Sequence, residues 1–128
     1  MATYTKKKKK KERSVERGRI YIQSTFNNTI ITVTDEKGGV ISWTSSGACG
    51  FKGARKSTPY AAQIACKAAI DKAKETGLSA VDVLVSGVGT GRESAVRAIN
   101  GTNLTVYSIR DITPIAHNGC RPKKVRRV

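Results

Sequence analysis

Apolar residues recur along the chain with two different periods, and each change of period marks an element. Over residues 18–25, Ile20 and Ile22 alternate with Arg19, Tyr21 and Gln23, the period-two pattern of a strand with one buried face. Phe26-Asn27-Asn28 reads as a turn, since asparagine tolerates left-handed backbone. A second strand rich in β-branched residues fills 29–35, Glu36-Lys37-Gly38-Gly39 turns the chain again, and 40–46 is a third strand. Connections this short join antiparallel neighbours, so the first part of the chain is a three-stranded meander.

From Gly47 to Ser57 the periodicity is lost and three glycines appear with Lys52, Arg55 and Lys56, which reads as a loop. Thr58 is a good N-cap and Pro59 suits the first helical position, so a helix begins there and ends before Gly77. Its apolar residues Ala61, Ala62, Ile64, Ala65, Ala68, Ala69, Ile70 and Ala73 are mostly small, which allows close approach to a sheet. Lys67, Asp71, Lys72, Lys74 and Glu75 fit its solvent side. Val81, Val83 and Val85 alternate with Asp82, Leu84 and Ser86 to form a fourth strand. After Gly87-Val88-Gly89-Thr90-Gly91 comes a second helix that stops near Asn100-Gly101, and residues 104–113 form a last strand. Strand, helix and strand imply a right-handed crossover between parallel neighbours. The fold class is α/β: a mixed five-stranded sheet with two helices, combining the antiparallel meander with a parallel βαβ unit.

At 128 residues and 38% hydrophobic content the chain forms one domain with a modest core. That domain spans 18–116, with a basic arm at 1–17 and another at 117–128. Charge changes the picture more than length does. Lys and Arg number 24 against 9 Asp and Glu, a formal net charge of +15. Residues 1–20 hold nine basic and two acidic side chains and residues 121–128 hold five basic and none acidic, so these ends carry +12. The lysine run Lys6 to Lys11 repels itself and is expected to stay disordered until a polyanion neutralises it. Strongly basic ends on a nearly balanced body suit a nucleic-acid partner, because each cation set on a phosphate releases a condensed counterion.

The glycine turn sharpens that expectation. Glycines before a helix let the backbone come close to a ligand, and the free N–H groups and dipole of the helix start favour an anion. Arg92 and Arg97 stand on this helix with Glu93 in its first turn, so phosphate is the natural candidate. The spacing is G-x-G-x-G, neither the dinucleotide-binding G-x-G-x-x-G nor a P-loop. Asp111 falls where a ribose-binding acid would, but too little chain remains to complete a doubly wound fold. The basic, glycine-rich segment before the first helix repeats the same logic.

Other classes are disfavoured. His117 is the only histidine and lies in an arm, where it reads as a stacking or hydrogen-bonding contact. Asp35, Glu36, Asp82, Glu93 and Asp111 are too few on suitable strand positions to hold catalytic metals, so no enzyme, metal or cofactor is expected. The lysine run has no apolar face for a membrane surface, no apolar run approaches bilayer length, and no secretory signal follows the lysines. A soluble, intracellular protein is the expectation. Cys49, Cys66 and Cys120 are odd in number and widely spaced, which reads as reduced thiols.

Several stretches carry a resemblance. They are Ser24-Thr25-Phe26-Asn27-Asn28-Thr29, Val40-Ile41-Ser42-Trp43, Gly50-Phe51-Lys52-Gly53, and Arg55-Lys56-Ser57-Thr58-Pro59-Tyr60-Ala61-Ala62-Gln63. Gly91-Arg92-Glu93-Ser94-Ala95, Arg110-Asp111-Ile112-Thr113-Pro114 and His117-Asn118-Gly119-Cys120-Arg121-Pro122 continue the series. In this order, from about residue 18 to the end, they resemble the universal small-subunit ribosomal protein eleven family. The resemblance implies a ribonuclease H-like fold without nuclease chemistry, and a structural place on the platform of the small subunit. There it implies contact with small-subunit ribosomal RNA and neighbouring platform proteins, proximity to the messenger RNA exit, and no homo-oligomer. Its flavour is bacterial, cytoplasmic and ribosome-bound, with a plastid ribosome as the alternative. Val88 stands where the family usually has proline in the glycine turn, and Lys123 replaces the second proline of the tail. The N-terminal lysine run has no dependable counterpart.

The candidate RNA-binding residues are Asn27, Asn28, Lys52, Arg55, Lys56, Ser57, Thr58, Gly89, Gly91, Arg92, Arg97, His117, Asn118, Arg121, Lys123, Lys124, Arg126 and Arg127. The rival is a free nucleic-acid-binding regulator outside the ribosome, against which stands an expected scarcity of exposed aromatics on the sheet.

Overall fold

The computed structural model describes residues 14–127; the lysine run Lys6 to Lys11, with most of the expected N-terminal arm, lies outside them. The strands are β1 (Arg17–Ser24), β2 (Thr29–Asp35), β3 (Val40–Ser45), β4 (Ala80–Ser86) and β5 (Thr105–Asp111), and the helices are α1 (Pro59–Lys74) and α2 (Arg92–Asn100). They form one five-stranded sheet in the order β3-β2-β1-β4-β5. β1 pairs antiparallel with β2, and β2 with β3. β4 lies parallel to both β1 and β5, so the meander and the βαβ unit expected from the sequence share β1 and β4 as their seam.

Period two decides which face of each strand is buried. Ile20, Ile22, Ile31, Val33, Val81, Val83 and Val85 point to one side and are buried beneath both helices. α1 lies over β2 and β3, while α2 lies over β1. The small side chains Ala62, Ala65, Ala69 and Ala73 line the underside of α1 together with Cys66 and Ile70, and Ser42 on β3 donates its hydroxyl to the Ala69 carbonyl at 2.9 Å. Ile64 and Ala68, also among the apolar residues of α1, are only half-buried, because they sit on the flanks of the α1 stripe. No aromatic side chain belongs to the core among the described residues.

Several boundaries differ from the expectation. β1 begins at Arg17 and is tied down earlier still. The Glu16 carbonyl accepts from the Ser79 and Ala80 amides, the Val15 amide donates to Thr76, and the Val15 side chain packs on the core. β1 ends at Ser24 because Thr25 builds the turn, its hydroxyl accepting from the Asn27 and Asn28 amides at 3.3 and 3.1 Å. Neither Asn27 nor Asn28 is left-handed; among the described residues the non-glycine positions with positive φ are Asn103 and Asn118. The basic, glycine-rich segment before α1, read as lacking regular structure, contains a 3-10 turn over Gly53–Ser57. β5 stops at Asp111, whose carboxylate accepts from the Thr113 amide at 2.9 Å and folds the chain out of the sheet.

Candidate nucleic-acid interface

Because β1, β4 and β5 run parallel, their C-terminal ends lie at one end of the sheet, where β2 also begins and β3 ends. The turn at 25–28, the segment 46–58, the glycine turn 87–91 and the start of the C-terminal arm therefore meet there. Specific bonds join them. The Ser46 amide donates to the Thr29 carbonyl at 3.1 Å, the Thr90 hydroxyl donates to the Ser57 carbonyl, and the Gly87 amide donates to the Thr113 hydroxyl at 3.2 Å. The chain enters β1 at the opposite end of the sheet.

The balance of charge differs along the same axis. Lys52, just before the 3-10 segment, and Arg55 within it are exposed, Lys56 is half-buried, and residues 114–127 run exposed without regular structure, carrying His117, Asn118, Arg121, Lys123, Lys124, Arg126 and Arg127. Glu16, Asp35, Glu36 and Glu75 flank element ends at the opposite side, where Arg17, Lys37, Lys72 and Lys74 balance them. The acids near the loop end, Glu93 and Asp111, are each paired with an arginine, Glu93 with Arg97 at 3.8 Å and Asp111 with Arg92. The loop end thus presents exposed cations with the Asp111 carboxylate already held by Arg92, which suits a phosphate-rich surface.

The structure rearranges the parts expected of individual residues. Thr58 does cap α1, accepting from the Ala61 amide at 3.3 Å, and it also donates to the Arg55 carbonyl at 2.7 Å. Ser57 donates to the Ala54 carbonyl at 3.0 Å. Both hydroxyls shape the 3-10 segment that displays Lys52 and Arg55. Arg92, expected as a free cation at the helix start, folds back instead. Its guanidinium donates to the Gly87 carbonyl at 3.0 Å and to Asp111. That bond, with two from Thr113, holds the Asp111 carboxyl well below the usual carboxylate range. Arg97 lies farther along α2, exposed, away from the loop cluster.

Gly89 and Gly91 face inward. A Cβ on Gly89 would lie 2.3 Å from Ser24 Oγ and 2.5 Å from the Thr25 carbonyl oxygen; one on Gly91 would lie 2.6 Å from Thr29 Oγ1 and 2.7 Å from the Ala62 Cβ. Their missing side chains let the turn pack on β1, β2 and α1, so close packing rather than ligand approach explains them. Ser24 Oγ, Thr29 Oγ1 and Ser46 Oγ are buried here without a hydrogen-bond partner among the described residues, the first two against these glycines. The exposed parts of the turn are Val88 and Thr90.

Sequence reasoning passed over the aromatics. Phe26 at the β1–β2 turn is 75% exposed and Tyr60 at the start of α1 is 63% exposed, with Phe51 edge-on to Tyr60 at 6.0 Å between ring centroids. The expected scarcity of exposed aromatics on the sheet is overturned: Trp43 on β3 and Tyr107 on β5 are 59% and 62% exposed. Trp43 was detectable in principle, since it falls between Ser42 and Thr44, and the alternation puts it opposite them.

The family model described as ribosomal protein S11 matches residues 18–127. A protein named small ribosomal subunit protein uS11 from Borreliella burgdorferi (strain ZS7) is 58% identical over 124 residues, covering 97% of this chain and 95% of its own. Its namesake in Treponema pallidum (strain Nichols) is 59% identical over 122 residues, 95% of this chain and 97% of its own. That of Solibacter usitatus is 58% identical over 121 residues, 94% and 90% of the two chains. A match that runs through the meander, the basic 3-10 segment, the glycine turn and the arm alike settles the relationship: the chain belongs to the ribosomal protein S11 family.

Proposed function

We propose that this chain holds small-subunit ribosomal RNA on the subunit platform, near the messenger RNA exit, through the loop end of its sheet and the C-terminal arm. Its coarser role follows from the family: it is a structural, non-enzymatic component of the small ribosomal subunit, bound to ribosomes in a bacterial cytoplasm. The observation that carries the finer reading is the excess of exposed cations at the loop end. Lys52 and Arg55 stand exposed at the same end of the sheet as the arm's departure, while Asp111 is held by Arg92 and Glu93 pairs with Arg97. Arg92 enters this reading as the residue that positions the arm, with the exposed cations making the phosphate contacts. Neighbouring ribosomal proteins complete the partners.

Reconstitution of small subunits tests it. Wild-type protein is expected to co-migrate with the subunit through a high-salt gradient, and a Lys52→Ala, Arg55→Ala, Lys56→Ala variant is expected to be retained poorly with its thermal unfolding unchanged. Equal retention of the variant would remove the loop end from the interface. Platform placement is read by crosslinking from Arg121→Cys, which should reach RNA and platform proteins.

A further inference from the structure

Both helices pack on one face of the sheet, and among the described residues no element covers the opposite face. The register lays one row of side chains straight across it: Trp43, Thr32, Tyr21, Leu84 and Arg110, one from each strand in the order β3-β2-β1-β4-β5. Trp43 is 59% exposed and Tyr21 and Leu84 are half-buried. Tyr107, beside the row on β5, carries the Arg17 guanidinium over its ring at 4.6 Å.

Aromatic side chains bring more apolar area than any others and ordinarily go to the core. Here the core is aliphatic, and three of the described aromatics stand on this open face. We propose that the open sheet face is a second RNA surface, a stacking platform for the unpaired bases of a single-stranded segment, with Trp43 and Tyr21 as its rings. The proposal rests on the RNA-binding reading above but uses a different face of the molecule from the loop end.

The chemistry of the face selects this occupant. Trp43 and Tyr21 lie two strand spacings apart, about 9.5 Å, with the Thr32 hydroxyl between them and Gln23 in the next row. Flat rings separated by hydrogen-bonding side chains suit bases, which offer a π-face and polar edges. A protein partner would ask for a continuous apolar centre, and here Ile30 and Leu84 are kept apart by Thr32, Gln23 and Tyr21. Charge points the same way. The acids at this face, Asp82 and Glu36, are both engaged by Arg17, at 3.3 and 3.6 Å, whereas Arg19 and Arg110 have no ion pair among the described residues. The uncompensated charge is therefore positive, complementary to a phosphate backbone.

Trp43 is the only tryptophan of the chain, so its emission reports this face alone. The full chain is titrated with a fluorescein-labelled 12-nucleotide single-stranded oligo(A) RNA, with a 12-base-pair RNA duplex, and with heparin. Anisotropy, or displacement for heparin, measures binding while tryptophan emission measures stacking. The single strand is expected to quench Trp43, and the duplex and heparin to bind without quenching. Trp43→Ala is expected to weaken the single strand about tenfold and the duplex less than twofold, and Trp43→Phe to keep most of the affinity. Tyr21→Leu, checked by thermal unfolding, should weaken the single strand in the same direction.

Binding of the single strand without quenching, together with an unchanged affinity of Trp43→Ala, overturns the platform and leaves the loop-end reading standing. Absence of binding to every RNA defeats the RNA-holding reading itself. Quenching of Trp43 by a small-subunit protein and not by the single strand overturns the proposal in favour of a protein partner.

Discussion

Arg92, the first residue of α2, is bonded to Asp111, the last residue of β5. The same guanidinium reaches the Gly87 carbonyl at 3.0 Å, the Asp111 carboxylate takes the Thr113 amide at 2.9 Å and the Thr113 hydroxyl at 2.6 Å, and that hydroxyl accepts from the Gly87 amide at 3.2 Å. The bonds form a closed ring through the glycine turn, the helix start and the base of the C-terminal arm. The arm leaves the sheet in one direction because this ring fixes where Thr113 lies.

Arg92→Ala opens the ring. Thermal unfolding should fall by a few degrees, the scale of losing one partly exposed charged pair with its hydrogen bonds. Amide exchange should accelerate at Thr113 and at Ile112, whose amide donates to the Val85 carbonyl at 2.8 Å. Exchange as slow as in wild type would show that the arm is aimed by something else.

The same ring gives a pH dependence. The Asp111 carboxyl is held low by the Arg92 hydrogen bond first and the Thr113 bonds next. A depressed carboxylate stabilises the fold at pH above its unfolded pKa of about 3.9 and loses that contribution as pH falls below it. Asp111→Asn should therefore unfold at a lower temperature than wild type at pH 7, with the gap narrowing on titration from pH 4 towards pH 2. A gap independent of pH would separate the residue's role from its charge.

Gly89→Ala should be costly although its backbone is not left-handed. Its Cβ would meet Ser24 Oγ and the Thr25 carbonyl oxygen, overpacking of the kind that costs about 1–3 kcal/mol. Gly50→Ala is the control: φ is +96° but nothing lies within 4 Å, so only backbone strain of about 1 kcal/mol applies. Ser24→Gly in the Gly89→Ala background should recover part of the loss, since the Thr25 carbonyl remains. Denaturant midpoints of the four proteins decide the order.

Deleting residues 1–13 and 121–128 removes twelve basic side chains and one acidic one. The salt dependence of RNA binding should flatten, because its slope counts the phosphates neutralised, while cooperative unfolding persists. Extending the N-terminal deletion through Arg17 should lower the unfolding temperature, since Val15 packs on the core and Glu16 receives the Ser79 and Ala80 amides. An unchanged salt slope would place the affinity in the body.

Burial pushes the Cys66 thiol up to about 12, so it stays protonated and inaccessible at pH 8. Cys120 is exposed in the arm and Cys49 is half-buried. Iodoacetamide at pH 8 should label Cys120 first, and Cys66 only at the rate of unfolding. Peptide mass spectrometry reads the order, and early labelling of Cys66 would mean that α1 opens from the sheet.

What the sequence determined by itself is local. Alternation of Ile20, Ile22, Ile31 and Val33 with polar neighbours, the Thr58-Pro59 start of α1 and the runs of turn residues are set within a few positions, so element order and the meander were legible from them. The small residues of α1 likewise announced close packing. What only the tertiary structure decided depends on pairs far apart in the chain. Arg92 looked like a free cation because Asp111, nineteen residues on, is brought beside it only when β5 lies next to β4. Gly89 and Gly91 looked like a ligand cradle because period and spacing carry no record of Ser24 or Ala62 on the other side of the turn. Trp43 and Tyr107 could be assigned to one side of their strands, but a strand does not state whether that side will be covered. That follows from both helices packing on the same face of the sheet, a long-range choice that leaves the aromatic face uncovered by the described residues and makes it a surface.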